Sequence, residues 1–468
     1  MSEAKKTINV KKNMKFIISV FVILFSGMIV YLGYAVTVYG ERWFASPYNQ
    51  RLEAANSNVI KGSVLDTNGI KLAWTEDGER QYISDTDTRI AISHTLGDNY
   101  GMTQGAELLY AKYLFGFDSD IVSRVGELIT GEKRKGSDVT LTIDSELCKY
   151  AASVMGDNSG AIVLINYETG EILASVSQPG FDPLSVSDYA DDEDSTVLFN
   201  RVTMGKYPPG STFKIITATA IIQEGLQDES YTCTGSVDIG GITIECAGGK
   251  AHGELTLEEA FNVSCNTYFA TMAKEIGSKK LLSVAEKYGF NYDFLFNDMI
   301  LYQSDYVQSD YDENVALSGI GQYEDLITPL HSAMISGAIA NGGTMMQPML
   351  LKAVTTAEGN ETDSPSKVFK SDATGGTASV LKQLMISEVK NGTGKSAAVE
   401  GLTIGGKTGT AEYTEGGETK EHAWFTGFIA DEDHPLAIAV ILEGAGSGGK
   451  NSAPIASKVF KKAVELGY

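Results

Sequence analysis

Ser211 and Lys214 stand three residues apart, directly after Tyr207–Pro208–Pro209–Gly210 and just before the apolar run Ile215–Ile222. A serine hydroxyl is a weak nucleophile until a neighbouring base takes its proton. A lysine amine can be that base only where burial and nearby positive charge depress its pKa. Residues at i and i+3 share one helix face. The Pro-Pro-Gly turn predicts Ser211 at a helix start, where unpaired N–H groups and the positive dipole end gather. Spacing alone is weak evidence: S-x-x-K occurs at Ser2, Ser211, Ser364, Ser379, Ser387 and Ser447. Of these, Ser211 has both a turn before it and a buried-looking helix after it.

Ser264–Cys265–Asn266 is the one S-x-N in the chain. A helix predicted before it opens with the capping box Thr256-x-x-Glu259. The helix predicted after it carries Phe269, Met272, Ala273 and Ile276 on one face and stops at Gly277. A tight turn between them can aim Ser264 and Asn266 into one cleft, although an ordinary polar turn fits the same residues. Lys407–Thr408–Gly409–Thr410 ends an apparent strand, and Gly405 and Gly406 allow another backbone to approach it closely. Gly401-x4-Gly406–Lys407–Thr408 also matches a phosphate-binding loop. That loop needs a long helix after it, whereas Ala411 to Glu418 is acidic and hairpin-like, so the nucleotide reading is set aside.

The elements that must hold these residues follow from patterning. Ser145–Met155 reads as a helix, and Ala161–Ile165 and Glu171–Val176 as strands around a Tyr167–Gly170 turn. Ser211 to about Lys395 reads as mostly helical. Strands return at Leu402–Thr408, Trp424–Ile429 and Leu436–Leu442. Ser452–Leu466 closes the chain as an amphipathic helix with Pro454 in its first turn. Strands near both ends of one region, with helices between them, predict an α+β domain over 139–468. Residues 41–135 read as a small mixed module containing an Asn68–Gly69 hairpin, and 131–137 as a linker.

At 468 residues, two or three folding units are expected. A net charge of −23 argues against a nucleic-acid binder. Five lysines oppose Glu3 within residues 1–15, and 23 uncharged residues, Phe16–Val38, follow. That length suits a membrane-spanning helix rather than a cleaved signal peptide, with the basic end inside and the remainder outside. Trp43 and Tyr48 would then lie at the outer interface. The four cysteines lack paired C-x-x-C spacing, so a zinc centre is not expected. Cys233 and Cys246 flank a glycine-rich hairpin. They fit either a disulfide, which an extracytoplasmic compartment permits, or two free thiols. The five histidines read as surface or structural residues.

In chain order, S-x-x-K, S-x-N and K-T-G form the set shared by penicillin-binding proteins and class A β-lactamases. The chain resembles the class B penicillin-binding proteins. Further matches are Asn200–Arg201, Gly321–Gln322 with Thr328–Pro329–Leu330, Ala340–Gly343, Gly392–Gly394, Gly406–Glu412 and Ala423–Gly427. Together they span nearly all of 139–468. Lys61 departs from the arginine usual before Gly62, and Cys265 fills the variable middle of S-x-N. The module at 41–135 would be a short pedestal, most like the A-type branch of the class.

The resemblance implies a penicillin-binding, serine β-lactamase-like fold: a five-stranded antiparallel sheet flanked by helices, with an all-helical insert, a pedestal and a membrane anchor. It implies a D,D-transpeptidase without metal or organic cofactor. Ser211 would be the nucleophile and Lys214 its base. Ser264 would relay a proton, Asn266 would hold the donor amide, and Lys407 would keep Lys214 neutral. Backbone N–H groups of Ser211 and Thr410 would bind the oxyanion. Thr408, Gly409 and Thr410, with Lys407, would receive the terminal carboxylate. Implied partners are stem peptides ending in D-Ala-D-Ala, β-lactams and a SEDS-type glycan polymerase. A D,D-carboxypeptidase or serine β-lactamase would share the acylation step, and a β-lactam sensor would stop at it.

Overall fold

Continuous apolar runs build the central strands. The computed structural model describes residues 10–44, 46, 49, 52, 59–118, 133–189 and 196–468. Five antiparallel strands lie in the order Ile404–Glu415, Glu418–Ile429, Leu436–Leu442, Gly160–Asn166, Ile172–Gln178. Leu436–Leu442 is buried at every residue, as a strand covered on both faces must be. The helices Pro329–Ala340 and Gly448–Glu465 supply that cover, and Ser145–Met155 packs on the edge strand Ile172–Gln178. The strand Ile404–Glu415 forms one edge of the sheet.

The first and last strands of the hairpin 404–429 run longer than patterning predicts. Thr410 to Glu415 pairs residue by residue with Glu418 to Ala423, so the K-T-G segment lies within a twelve-residue strand instead of ending one. Polar residues on both sides of this outer ladder erase the alternation that would have marked it.

The stretch 211–395, expected to be mostly helical, is helical over fewer than half of its residues and also carries short ladders. Tyr231–Cys233 pairs with Gly253–Leu255, and Ser236–Ile239 pairs with Ile242–Glu245. Two- to four-residue strands are too short for a period to register.

A second sheet has six strands, in the order Glu361–Asp363, Leu351–Thr355, Asp138–Leu141, Val64–Leu65, Lys71–Glu76, Glu79–Tyr82. It therefore joins strands from before residue 83 to strands from beyond residue 350. The turn Asp66–Ile70, between Val64–Leu65 and Lys71–Glu76, needs positive φ only at Gly69 (φ 79°). Asp66 Oδ1 accepts from Asn68 N at 3.0 Å and Ile70 N at 2.9 Å, closing the turn from the side-chain side. Arg89 adds a two-pronged tie to the main domain, with Nε 2.8 Å and Nη2 2.6 Å from the two oxygens of Asp182.

The helix Val10–Phe44 contains one stretch, Asn13–Thr37, long and apolar enough to cross a membrane, and its most apolar window is unburied. Trp43 keeps its place in this helix, but its side chain and Tyr48 lie outside the described residues, as do residues 131–132 of the expected linker at 131–137, whose Arg134 and Lys135 pair with Val59 and Ile60.

Candidate active site

The turn at 208–211 is forced by its neighbours. Gly210 has φ 53°, and a Cβ there would collide with the Thr410 carbonyl oxygen. The backbone can therefore pass the K-T-G strand only as glycine. Gly210 N donates to Gly321 O at 2.9 Å, and Trp424 Nε1 donates to Pro208 O at 3.0 Å. Beyond this pinned turn, Gly210–Phe213 forms a 3₁₀ turn that runs into the helix Lys214–Gln223. Ser211 sits in that first turn, where backbone N–H groups lack intrahelical acceptors.

Lys214 is wholly buried. Its Nζ lies 3.1 Å from Ser211 Oγ, 3.1 Å from Ser264 Oγ, 2.8 Å from the Ser264 carbonyl oxygen and 2.7 Å from Asn266 Oδ1. The S-x-x-K and S-x-N motifs therefore meet at one nitrogen. Burial is the main cause holding the Lys214 pKa well below the usual lysine value, and the Lys407 charge pushes it further down. An amine so placed can be neutral and accept a proton. Ser264 has φ 54°, rare for a residue with a Cβ. Phe261 O and Ala260 O bind the amides of Ser264 and Cys265 and hold that turn.

The third motif runs along the sheet edge beside the nucleophile. Thr408 N donates outward to Glu388 Oε1 at 3.2 Å, and Gln322 Nε2 donates to Thr410 O at 3.3 Å. Alternate residues of a strand point their amides to the same side. The Thr410 N–H thus faces the same free edge, next to the Ser211 turn. Gly409 lies between them, against Thr212 and Trp424.

Lys407 is also wholly buried, with Nζ 3.3 Å from Glu388 Oε1 and 3.3 Å from the Thr408 carbonyl oxygen. Burial lowers its pKa, and Glu388 opposes that shift. Sequence reasoning missed Glu388. One oxygen, Oε1, also accepts from Thr408 Oγ1 at 3.0 Å and Thr393 Oγ1 at 2.7 Å. A Cβ at Gly394 would strike the other oxygen, so the G-T-G segment is the space this carboxylate needs. The only trace of Glu388 in the sequence is its place inside a spurious S-x-x-K, Ser387 to Lys390.

Arg201, matched earlier only by resemblance, gains a physical role. Its Nε is 2.8 Å from Glu443 Oε1, which also accepts from Tyr207 Oη at 2.7 Å, two residues before the second proline of the Ser211 turn. Cys233 and Cys246 do not form a disulfide. Both thiols are free, with sulfurs 3.7 Å apart, because each points into a shared cluster with other donors. His94 and His331 are buried and structural, and burial pushes both down to about 4.

Comparison with known proteins agrees with this geometry. The penicillin-binding protein transpeptidase domain matches residues 160–461. Peptidoglycan D,D-transpeptidase PbpA of Mycolicibacterium smegmatis is 29% identical over 459 residues, covering 90% of this chain and 93% of that one. PbpA of Mycobacterium tuberculosis is 30% identical over 371 residues, covering 73% and 75%. The solved ceftriaxone acyl-enzyme of penicillin-binding protein A from M. tuberculosis superposes with a TM-score of 0.79 at 26% identity, covering 88% of this chain and 100% of that one. A D,D-transpeptidase domain from Eggerthella lenta gives 0.74 at 28% identity, covering 87% and 99%. With three motifs gathered around one buried amine on a matching fold, the chain belongs to the penicillin-binding protein transpeptidase family.

Proposed function

We propose that this protein is a membrane-anchored peptidoglycan D,D-transpeptidase that β-lactams acylate at Ser211. The observation that carries the reading is the Lys214 amine, of lowered basicity, shared between Ser211 Oγ, Ser264 Oγ and Asn266 Oδ1. Lys214 takes the Ser211 proton as Oγ bonds to the carbonyl carbon between the two D-alanines. The N–H groups of Ser211 and Thr410 hold the oxyanion, an effect worth about 3 kcal/mol per donor in comparable enzymes. Ser264 relays a proton to the departing D-alanine amine as the peptide bond breaks. Asn266 orients the donor amide. Thr408, Gly409 and Thr410 line the edge that takes the terminal carboxylate, and buried Lys407 lends charge from behind. An amine of a neighbouring stem peptide then displaces Ser211, giving the cross-link.

Under the positive-inside rule, the lysines before Phe16 stay in the cytoplasm and the catalytic domain lies outside. The apolar helix would then be the surface offered to a SEDS-type polymerase in the membrane.

The test is labelling of the full-length protein with a fluorescent penicillin. Wild type should take up covalent label, located by mass spectrometry on the Ser211 peptide, while Ser211→Ala and Lys214→Ala should not. Label on Ser211→Ala would place the nucleophile elsewhere. Label lost by rapid turnover would instead mark a hydrolase.

A further inference from the structure

We propose that Cys233, Cys246, His252 and Cys265 form a Cys3His binding site for a structural zinc ion. This goes beyond the transpeptidase reading and does not depend on it. The cysteine spacing in the sequence argued against a zinc centre, but the fold gathers all four donors. Their ligating atoms lie within 4.8 Å of one another.

The individual distances are those of a tetrahedron's edges. With Zn–S about 2.3 Å and Zn–N about 2.0 Å, the edges are about 3.8 Å between sulfurs and about 3.5 Å between sulfur and nitrogen. The Cys233 and Cys246 sulfurs are 3.7 Å apart, as are those of Cys246 and Cys265, and Cys233 Sγ is 3.4 Å from His252 Nδ1. A disulfide needs sulfurs about 2.05 Å apart and leaves the third thiol unexplained. Thiols are weak hydrogen-bond donors, so mutual hydrogen bonding is a poor reason to converge three of them on an imidazole.

The surroundings fit a closed structural centre. All three cysteines are buried, and His252 is half-buried. Thr267 Oγ1 lies 3.2 Å from Cys233 Sγ and 3.3 Å from Cys265 Sγ, the kind of neighbouring hydroxyl that steadies thiolate ligands. The backbone delivers the donors from separate segments. Cys233 pairs with Gly253, which sets His252 beside it, and Cys246 N donates to Gly235 O at 2.9 Å to bring the hairpin end back. The strands at 236–245 bury little, with only Ile239 and Ile244 in the core. A module with so small a core needs another tether, and metal binding supplies folding free energy. Cys265 is the middle residue of S-x-N, so the ion would fasten this hairpin to the turn bearing Ser264 and Asn266. Asn266 Nδ2 already donates to Glu245 O at 2.8 Å across the same junction.

The experiment uses the full-length protein purified in detergent without chelator. Elemental analysis should find about one zinc per chain, as a four-ligand site requires. Cobalt added to protein stripped of metal should give the visible bands of a tetrahedral thiolate site, and zinc should bleach them. Cys246→Ser and the milder His252→Ala, whose side chain is half-exposed and whose loss leaves the three sulfurs in place, should each lower zinc retention after dialysis at least about ten-fold, as loss of a ligand predicts. Folding is checked by circular dichroism, and the wild-type cobalt titration needs no variant at all. Zinc-free protein with three native thiols that react freely and show no cobalt bands would overturn the proposal. So would an intact mass showing a native Cys233–Cys246 disulfide.

Discussion

In the proposed mechanism Lys214 must shed its own proton before it can accept one from Ser211, and two features of its surroundings promote that loss: burial and the Lys407 ammonium. The acylation rate should therefore climb as pH rises through a Lys214 pKa lying below 10.5 and level off above it. Stopped-flow acylation by a chromogenic β-lactam across pH measures that limb. In Lys407→Gln the positive neighbour is gone, Lys214 becomes more basic, and the limb should move to higher pH. A limb that stays in place would remove Lys407 from this role. The same shift has a stability consequence. Because the unfolded chain holds the proton more tightly, folding stability gains as pH rises between the folded pKa and the ordinary lysine value, and is lost as pH falls through that window. At this scale the sequence was informative where chemistry and local context coincide. Ser211, Lys214, Ser264 and Asn266 could be picked out because each motif sits at a turn before a helix. Glu388 and His252 could not, since their partners lie far along the chain and no spacing rule links them.

The sheet-edge strand and the helix Ala378–Asn391 are joined by one buried ion pair, Lys407 with Glu388. Removing one member of such a pair leaves an uncompensated buried charge, so Lys407→Met or Glu388→Gln alone should cost about 3–5 kcal/mol in denaturant unfolding. The double variant Lys407→Met with Glu388→Gln should recover much of that loss, because both charges go together. An additive double-mutant cycle would refute the coupling. Gly394→Ala should also be destabilising, since its methyl group would displace the Glu388 carboxylate. The helices and inner strands that frame this clamp were legible from periodicity, Ser145–Met155 to the residue. The outer part of the 404–429 hairpin was not, because exposed polar residues on both faces leave no hydrophobic rhythm to read. The small ladders around Cys233 were equally silent, and with them the convergence of the cysteines.

At the scale of the molecule, one exposed apolar helix separates a basic end from a strongly acidic body. Full-length protein should fractionate with membranes and resist extraction by high salt, whereas a chain beginning after residue 58 should be soluble and still take up penicillin. Full-length protein in the soluble fraction would argue against the anchor. The order of the elements along the chain was readable here, but their interleaving was not. Nothing local in Asp138–Leu141 or Leu351–Thr355 says that these strands pair with each other, or that the first also pairs with Val64–Leu65. Long-range strand pairing is a property of the folded whole.

That interleaved six-stranded sheet has a mechanical consequence. Beyond the apolar helix, the chain is stitched at Val64–Leu65, through Asp138–Leu141, to the strand Leu351–Thr355, which follows the Pro329–Ala340 helix packed on the five-stranded sheet. A load entering from the anchor is thus shared by backbone hydrogen bonds on both sides of Asp138–Leu141, instead of passing down a single covalent thread. The proposed nucleophile, Ser211, thus belongs to a body tied to the N-terminal segment by hydrogen-bonded strands.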